Sequence, residues 1–384
     1  MPHIDPRTVL LLSGVTSAFM AIILFSLKRN YPSSIKGLGE WAIALVLVAA
    51  GSLLGFGLGL LPTVLSTTIP RILLPAGLLV VYVGTQRFFG VTPRFKPWIV
   101  LIAVVALVQM WFTFVQPDFS TRLALSNALA ACLYVAFAKM LLKQGLDTFA
   151  KRLIMGVVVC MLCVLTMRLV TLIIWPVGED IFNTAPQHLV YVTSFAFLVV
   201  LKSVSLVLLA SERLHTEVAY LASHDSLTNA LTRRHMNEVC ATELERCQRH
   251  GHSLALLIMD LDHFKVVNDT YGHQRGDEVL VDFVARVHGL LRRPDQLARF
   301  GGEEFVALLP ETSLEDALGV AERIRAACAQ AGGTGPGPAC TVSIGVTTNR
   351  AASDSVDGLI ARADAAMYQA KALGRNRVEI AAAD

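Results

Sequence analysis

Seven runs of mostly apolar residues fill the first part of the chain: 8–27, 41–61, 72–89, 98–115, 123–142, 153–176 and 188–210. About 20 such residues cross a hydrocarbon core as a helix, which satisfies its own backbone hydrogen bonds. Pro75 interrupts the third run, and Ser126, Asn127 and Lys139 dilute the fifth, so six spans is the alternative count. Arg168 and Lys202 fall near the ends of apolar stretches. The long stem of Lys202 predicts snorkelling to the interface, whereas Arg168 either lines a ligand pocket or joins a polar core. The first run has no basic segment before it and is long, which speaks against a cleaved signal peptide.

The pattern changes after Ala210. Residues 211–225 contain no Pro or Gly, and Val207, Leu214 and Leu221 recur at seven-residue spacing beside Val204 and Val218. That spacing suits a helix pairing with its twin, or a stalk that simply continues the last span. Either way, this stretch as a helix reaches about 22 Å. Beyond it, helical and strand patterns alternate. Helices are expected at about 232–249, 262–270, 275–292, 313–330 and 356–373. Strands are expected at Leu254–Asp260, on both sides of a hairpin at Gly301-Gly302, at Cys340–Thr347 and at Arg377–Ile380. The fold class is therefore a multi-span all-α membrane domain followed by an α/β (α+β) domain, its central mixed sheet covered by helices. Three segments result: 1–210 in the membrane, 211–224 as connector, and 225–384 as the cytoplasmic domain.

Charge separates the halves in the same way. Residues 1–210 hold 15 Lys/Arg and 6 Asp/Glu, a net of +9, while residues 211–384 hold 18 and 24, a net of −6. The overall +3 is a sum of opposed parts and does not indicate nucleic-acid binding. The loops 28–40, 87–97 and 139–152 carry ten Lys/Arg, against Arg71 and Arg122 in the alternate connections. This positive-inside asymmetry places the N-terminus outside and the C-terminal half in the cytoplasm, which requires an odd number of spans. The outer connections are short, so any sensed signal acts within the membrane or at its outer face. Seven cysteines, split between the halves, make no disulfide framework. Cys160 and Cys163 form a C-x-x-C inside an apolar run, where packing is their ordinary role.

The acidic residues carry the chemistry. Asp260 and Asp262 end the apolar run Leu-Ala-Leu-Leu-Ile-Met, and Glu303 and Glu304 follow Gly301-Gly302. Two glycines suggest a tight turn with positive φ. If the two strands are neighbours, Asp260 and Glu303 can share a divalent cation, with Mg²⁺ and phosphate the usual combination. Lys265 opens a helix where free N–H groups suit a polyphosphate. Asn268 and Asp277 offer the amide and carboxylate that recognise a guanine edge. Lys371 and Arg375, four apart, suit phosphate oxygens or a helix dipole.

These residues resemble the GGDEF diguanylate cyclases over about 225–380. The motifs occur in order: Asp225-Ser-Leu-Thr228, Asp260-Leu-Asp-His-Phe-Lys265, Asn268-Asp269, Gly272-His273, Gly276-Asp277, Arg299-Phe-Gly-Gly-Glu-Glu-Phe305, Ser343-Ile-Gly-Val346 and Ala370-Lys-Ala-Leu-Gly-Arg-Asn-Arg377. The resemblance implies a palm-like domain that condenses two GTP to cyclic di-GMP and two pyrophosphates across a homodimer. It implies that Asp260, the Leu261 carbonyl and Glu303 bind Mg²⁺ (or Mn²⁺), with Glu304 near a second metal. Glu303 is then also the general base, and Lys265 stabilises developing charge. Asn268 and Asp277 read guanine, His273 contacts the nucleotide, and Lys371 and Arg375 hold phosphates. Arg292 and Asp295 match the family's inhibitory R-x-x-D site for cyclic di-GMP, with Arg323 as a second basic ligand and Pro294 inside the motif. Two departures stand at the entry turn, Asn229 where the family usually has Gly and Thr232 where it has Asn. The expectation is an inner-membrane, multi-pass enzyme with its output domain in the cytoplasm. The alternative is a silent receptor or scaffold that only binds GTP or cyclic di-GMP.

Overall fold

The structure, a computed structural model, describes residues 5–174, 186–330, 340–350 and 354–381. It divides into two compact units, Met1–Thr216 and Glu217–Asp384.

The first unit is helical: α1 (Pro6–Asn30), α2 (Leu38–Phe56), α3 (Ile69–Phe88), α4 (Lys96–Phe114), α5 (Phe119–Lys143), α6 (Phe149–Ile174) and α7 (Pro186–Ser223). The connection between Pro176 and His188, expected to carry no Lys or Arg, lies largely outside the described residues. Seven described helices are long and apolar enough to cross a membrane, which is compatible with a multi-pass membrane protein. Asp5 caps α1 through the Arg7 amide ahead of Pro6, and Asp118 caps α5 through the Thr121 amide; such caps contribute about 1 kcal/mol each. Pro75 does not end its helix: α3 runs through it, preceded by a π-helical turn at Val64–Thr68. The fully buried Trp41 locks α2 to α3, its Nε1 donating to Thr85 Oγ1 at 3.1 Å. Large apolar side chains such as Phe19, Ile22, Leu107 and Ile173 stay exposed, as a lipid-facing surface requires.

The expectation that Lys202 snorkels is wrong. Lys202 is only 3% exposed, because the bundle interior offers its ammonium the Tyr134 hydroxyl at 3.4 Å. Arg168 is equally buried, its Nη2 against His188 Nδ1 at 2.7 Å and its guanidinium over the Tyr191 ring. It joins the polar core. Cys160 and Cys163 are free thiols on exposed positions of α6.

The second unit contains β1 (Leu231–Thr232), α8 (Arg233–His250), β2 (Leu254–Leu261), α9 (Phe264–Tyr271), α10 (His273–Leu290), β3 (Gln296–Arg299), β4 (Glu304–Pro310), α11 (Leu314–Gln330), β5 (Val342–Thr348), α12 (Val356–Ala372) and β6 (Val378–Ile380). The sheet order is β1-β3-β4-β2-β5-β6. β2 lies antiparallel between β4 and β5, while β1 pairs parallel with β3 and β6 parallel with β5. All eight residues of β2 are buried, as expected of a central strand covered on both faces. Ala255, Leu257, Met259 and Leu261 pack with Phe283, Val287 and Ile324 of α10 and α11. Leu254, Leu256 and Ile258 pack with Met236, Leu359 and Met367 of α8 and α12. By this alternation Asp260 sits on the α12 face, at the strand end. Cys240, Cys247, Cys328 and Cys340 are buried and free; burial pushes the Cys340 thiol up to about 12.

Candidate active site

The strand order answers the question left open by the sequence. β2 and β4 are neighbours, with Asp260 opposite Glu304 and the Leu261 amide donating to the Glu303 carbonyl at 3.3 Å. Asp260 is buried and Glu303 half-buried. Burial first, then the Asp260 charge, raises the Glu303 carboxyl above its ordinary range. Burial raises Asp260 as well, against the opposing pull of Lys371. Two carboxylates are thus held against their mutual repulsion at the adjacent ends of β2 and β4. The cation that meets them is Lys371, whose Nζ lies 2.8 Å from Asp260 Oδ2.

No cluster of three or more His, Cys, Asp or Glu able to hold a metal ion occurs among the described residues. A pair of carboxylates still fits Mg²⁺, which is commonly held by one or two protein carboxylates plus substrate phosphates rather than by an all-protein cage. The excess of negative charge at Asp260 and Glu303 is the feature a divalent cation would relieve.

Gly301 and Gly302 turn the chain between β3 and β4, with the Phe300 amide donating to the Glu304 carbonyl at 2.8 Å. Neither glycine takes the positive φ expected of the turn; an arginine shapes the loop instead. Arg299 donates through Nε to the Gly301 carbonyl at 3.1 Å and through Nη2 to the Gly302 carbonyl at 2.8 Å. Its Nη1 reaches Asp225 Oδ1 at 3.0 Å. Asp225 also accepts from the Thr228 amide and hydroxyl, so the signature loop is tied to the entry turn. Sequence reasoning gave Arg299 no role; a cation two residues before a pair of glycines was the available signal.

The entry-turn departures have local explanations. Asn229 adopts φ 60, which Asn tolerates better than most residues, and its Oδ1 accepts from Tyr220 Oη at 2.6 Å. Thr232 caps α8 and donates to the Ala222 carbonyl at 3.1 Å.

Asp262 is no site carboxylate. It is buried and accepts from Thr341 Oγ1, Ser343 Oγ and the Asn376 amide at 2.7, 2.7 and 3.0 Å. That last bond holds the loop after α12, where Gly374, Arg375 and Asn376 all have positive φ. Non-glycine residues stay in that region only when their surroundings hold them there. Asp262 thereby sets the backbone that carries Arg375, whose charge is felt at Asp260.

On the other side, β2 turns through His263, in the left-handed region at φ 58, into α9, whose N-terminus no side chain caps. Lys265 is exposed in the first turn of α9. Gly272, at φ 81, joins α9 to α10, bringing Asn268 beside the first turn of α10 with His273 and Asp277 exposed. A Cβ at Gly276 would lie 1.9 Å from Asn268 Oδ1, so only glycine leaves room for that amide. Elsewhere, Arg292 and Asp295 close a turn, the Arg292 amide donating to Asp295 Oδ2 at 2.7 Å and the Asp295 amide to the Arg292 carbonyl at 3.0 Å. Pro294 is accommodated there because neither bond uses its nitrogen. The side chains of Arg292 and Arg323 are exposed.

Residues 222–377 match the family described as diguanylate cyclase, GGDEF domain; this stretch is a GGDEF domain. The diguanylate cyclase DgcM of Escherichia coli (strain K12) is 41% identical over 167 residues, 44% of this chain and 40% of its own length. The response regulator PleD of Caulobacter vibrioides (strain NA1000 / CB15N) is 41% identical over 162 residues, 41% of this chain and 36% of its own length. A crystal structure of the GGDEF domain of DgcB from Caulobacter crescentus, in complex with c-di-GMP, is 32% identical; the match covers 42% of this chain and 94% of that one, with a TM-score of 0.40. The chain spans about two fifths of the length of these curated relatives.

Proposed function

We propose that the chain is a membrane-anchored diguanylate cyclase that condenses two GTP to cyclic di-GMP, with release of two pyrophosphates, across a homodimer. The observation that carries this reading is the convergence of Asp260 and Glu303 at adjacent strand ends, with Lys371 against them. Each subunit presents one GTP. The ribose 3′ oxygen of one attacks the α-phosphorus of the other; the new O–P bond forms as the bond to pyrophosphate breaks. Glu303 accepts the hydroxyl proton, a role suited to a carboxylate made more basic by burial and by Asp260. Mg²⁺ or Mn²⁺, held by Asp260, the Leu261 carbonyl and Glu303, with Glu304 at a second position, would supply charge neutralisation on the phosphates. Lys265 offsets the charge that develops on the transferring group. Lys371 and Arg375 hold phosphate oxygens, His273 contacts the nucleotide, and Asn268 and Asp277 read guanine.

The sheet geometry supports the site, and the exposed apolar Val204, Val218 and Leu221 on α7 support pairing with a second copy. The seven apolar helices and the basic loops support an inner-membrane location with the GGDEF domain in the cytoplasm. The test is to supply the detergent-purified chain with GTP and Mg²⁺ and to resolve the products chromatographically. Cyclic di-GMP and pyrophosphate in a 1:2 ratio are expected; bound but unconverted GTP would favour a silent receptor.

Two further outcomes follow. Asp277→Ala removes the acceptor for the guanine N1–H and 2-amino groups, so the preference for GTP over ATP in kcat/KM falls by about tenfold or more. Undiminished preference would take Asp277 out of base reading. Arg292, Asp295 and Arg323 are proposed to bind cyclic di-GMP and inhibit turnover. Arg292→Ala therefore sustains the initial rate as product accumulates, and progress curves that slow identically in variant and parent would refute that role.

A further inference from the structure

We propose that the helical unit contains a binding site for an amphipathic organic anion, a carboxylate or phosphate head on an apolar body, in the outer half of the bundle. A cavity of about 350 Å³ lies among α1, α2, α3, α5, α6 and α7, within the size range of small-molecule sites. Its lining belongs to the N-terminal parts of α1, α3, α5 and α7, the C-terminal parts of α2 and α6, and the connection between α2 and α3. With the N-terminus outside, these segments all lie on the outer side. Most of the wall is apolar, but Arg71, Arg122, Lys202, His188 and Asn127 also line it, and none of the described lining residues is an Asp or Glu.

Three of these polar groups are short of partners. Lys202, 97% buried, has among the described residues only the Tyr134 hydroxyl at 3.4 Å and the ring of that residue, its centroid 5.7 Å away. Arg71 Nη1 is buried with no hydrogen-bond partner. Asn127 is 98% buried; its Oδ1 accepts from Tyr191 Oη at 3.1 Å, but its Nδ2 has no acceptor. Arg71 and Arg122 are close enough to repel each other. Arg122 is partly served: Asp118, one turn before it, attracts its charge while also capping α5 through Thr121, and Arg122 donates to the Asp118 carbonyl at 3.1 Å and to Thr113 Oγ1 at 3.2 Å. Buried charges without a counter-ion are costly, and ionisable groups inside a membrane usually mark a ligand path or a paired partner. Apart from the Ser13 hydroxyl, which also lines the cavity without a partner, the unused capacity of these described groups is N–H donors and positive charge. A ligand that satisfies it brings oxygen acceptors and negative charge, and its remaining surface must match an apolar wall.

This site rests on the membrane orientation but not on the GTP chemistry, so it is tested without nucleotide. The full chain is placed in phosphatidylcholine nanodiscs and titrated with dodecanoate and, separately, with dodecanol, following both the thermal midpoint and the binding heat. A parallel series replaces part of the phosphatidylcholine with phosphatidylglycerol. Dodecanoate is expected to raise the midpoint saturably and to bind at least about tenfold more tightly than dodecanol. Lys202→Met should remove that preference while raising the ligand-free midpoint, because it deletes a buried unpaired charge. If Lys202→Met fails to accumulate, Arg71→Gln provides the same reading. A shift with phosphatidylglycerol that leaves dodecanoate without further effect assigns the site to a lipid headgroup; a dodecanoate shift in both membranes assigns it to a free amphiphile. Equal affinity for dodecanoate and dodecanol with no phosphatidylglycerol effect would overturn the proposal, as would an unchanged dodecanoate preference in the variant.

Discussion

Glu303→Gln is expected to lower the proposed GTP condensation by about 10²–10³-fold or more while the GGDEF domain stays folded. The magnitude is that of removing one pre-placed electrostatic group from a transition state, and loss of the proton acceptor adds to it. Gln keeps the length and shape of the side chain, and the Leu261 amide still meets the backbone carbonyl at residue 303. What disappears is one of two charges that burial and mutual repulsion already disfavour. Neutralising it relieves Asp260, so thermal stability without nucleotide should be unchanged or slightly higher. A loss of activity with stability retained separates a chemical role from a structural one. The measurement is steady-state cyclic di-GMP formation beside a thermal melt. Near-parental turnover in the variant would remove Glu303 from the proposed chemistry.

Gly345→Ala is expected to have the largest effect on stability, although the residue touches no proposed substrate group. Gly345 lies on β5 directly under α12. A Cβ there would sit 2.1 Å from the Ala363 carbonyl oxygen and 2.3 Å from the Met367 amide nitrogen. Both obstacles are backbone, so no side-chain rotation relieves them; α12 must lift from the sheet. Overpacking of this kind costs about 3 kcal/mol or more, at the upper end for such substitutions. The same helix carries Lys371 to Asp260, so activity falls with the packing. Hydrogen–deuterium exchange on the full chain reads this directly: amides of α12 and β5 should lose protection while those of α1–α6 keep theirs. Unaltered protection in α12 would show that the helix does not pack as closely on β5 as the structure has it.

Much of the molecule was legible in local pattern, because period and punctuation are local properties. The seven apolar runs correspond to seven helices, and the strand expected at Leu254–Asp260 appears as β2, Leu254–Leu261. The two-residue β1 was missed, since Leu231–Thr232 carries no alternation and exists through its pairing with β3. The positive φ expected at Gly301-Gly302 failed for a related reason: Arg299, reaching back to two carbonyls and across to Asp225, shapes that turn. Asp260 and Asp262, two apart and alike in sequence, differ in use. One faces Lys371 at the sheet end, and the other is consumed by Thr341, Ser343 and the Asn376 amide.

The sequence by itself determined which seven stretches are long and apolar enough to cross a membrane, which loops between them are basic, and which residues stand in the order typical of a GGDEF domain. These follow from hydropathy, charge and spacing along one strand of chain. Only the tertiary structure decided that β2 lies between β4 and β5, that Lys371 meets Asp260, and that Gly345 must lack a side chain. It also turned Lys202 from a residue expected at the interface into a buried cation lining a cavity. The physical reason is the same in each case. A side chain's charge state, exposure and room depend on groups tens of residues away in sequence, and only packing brings those groups within reach.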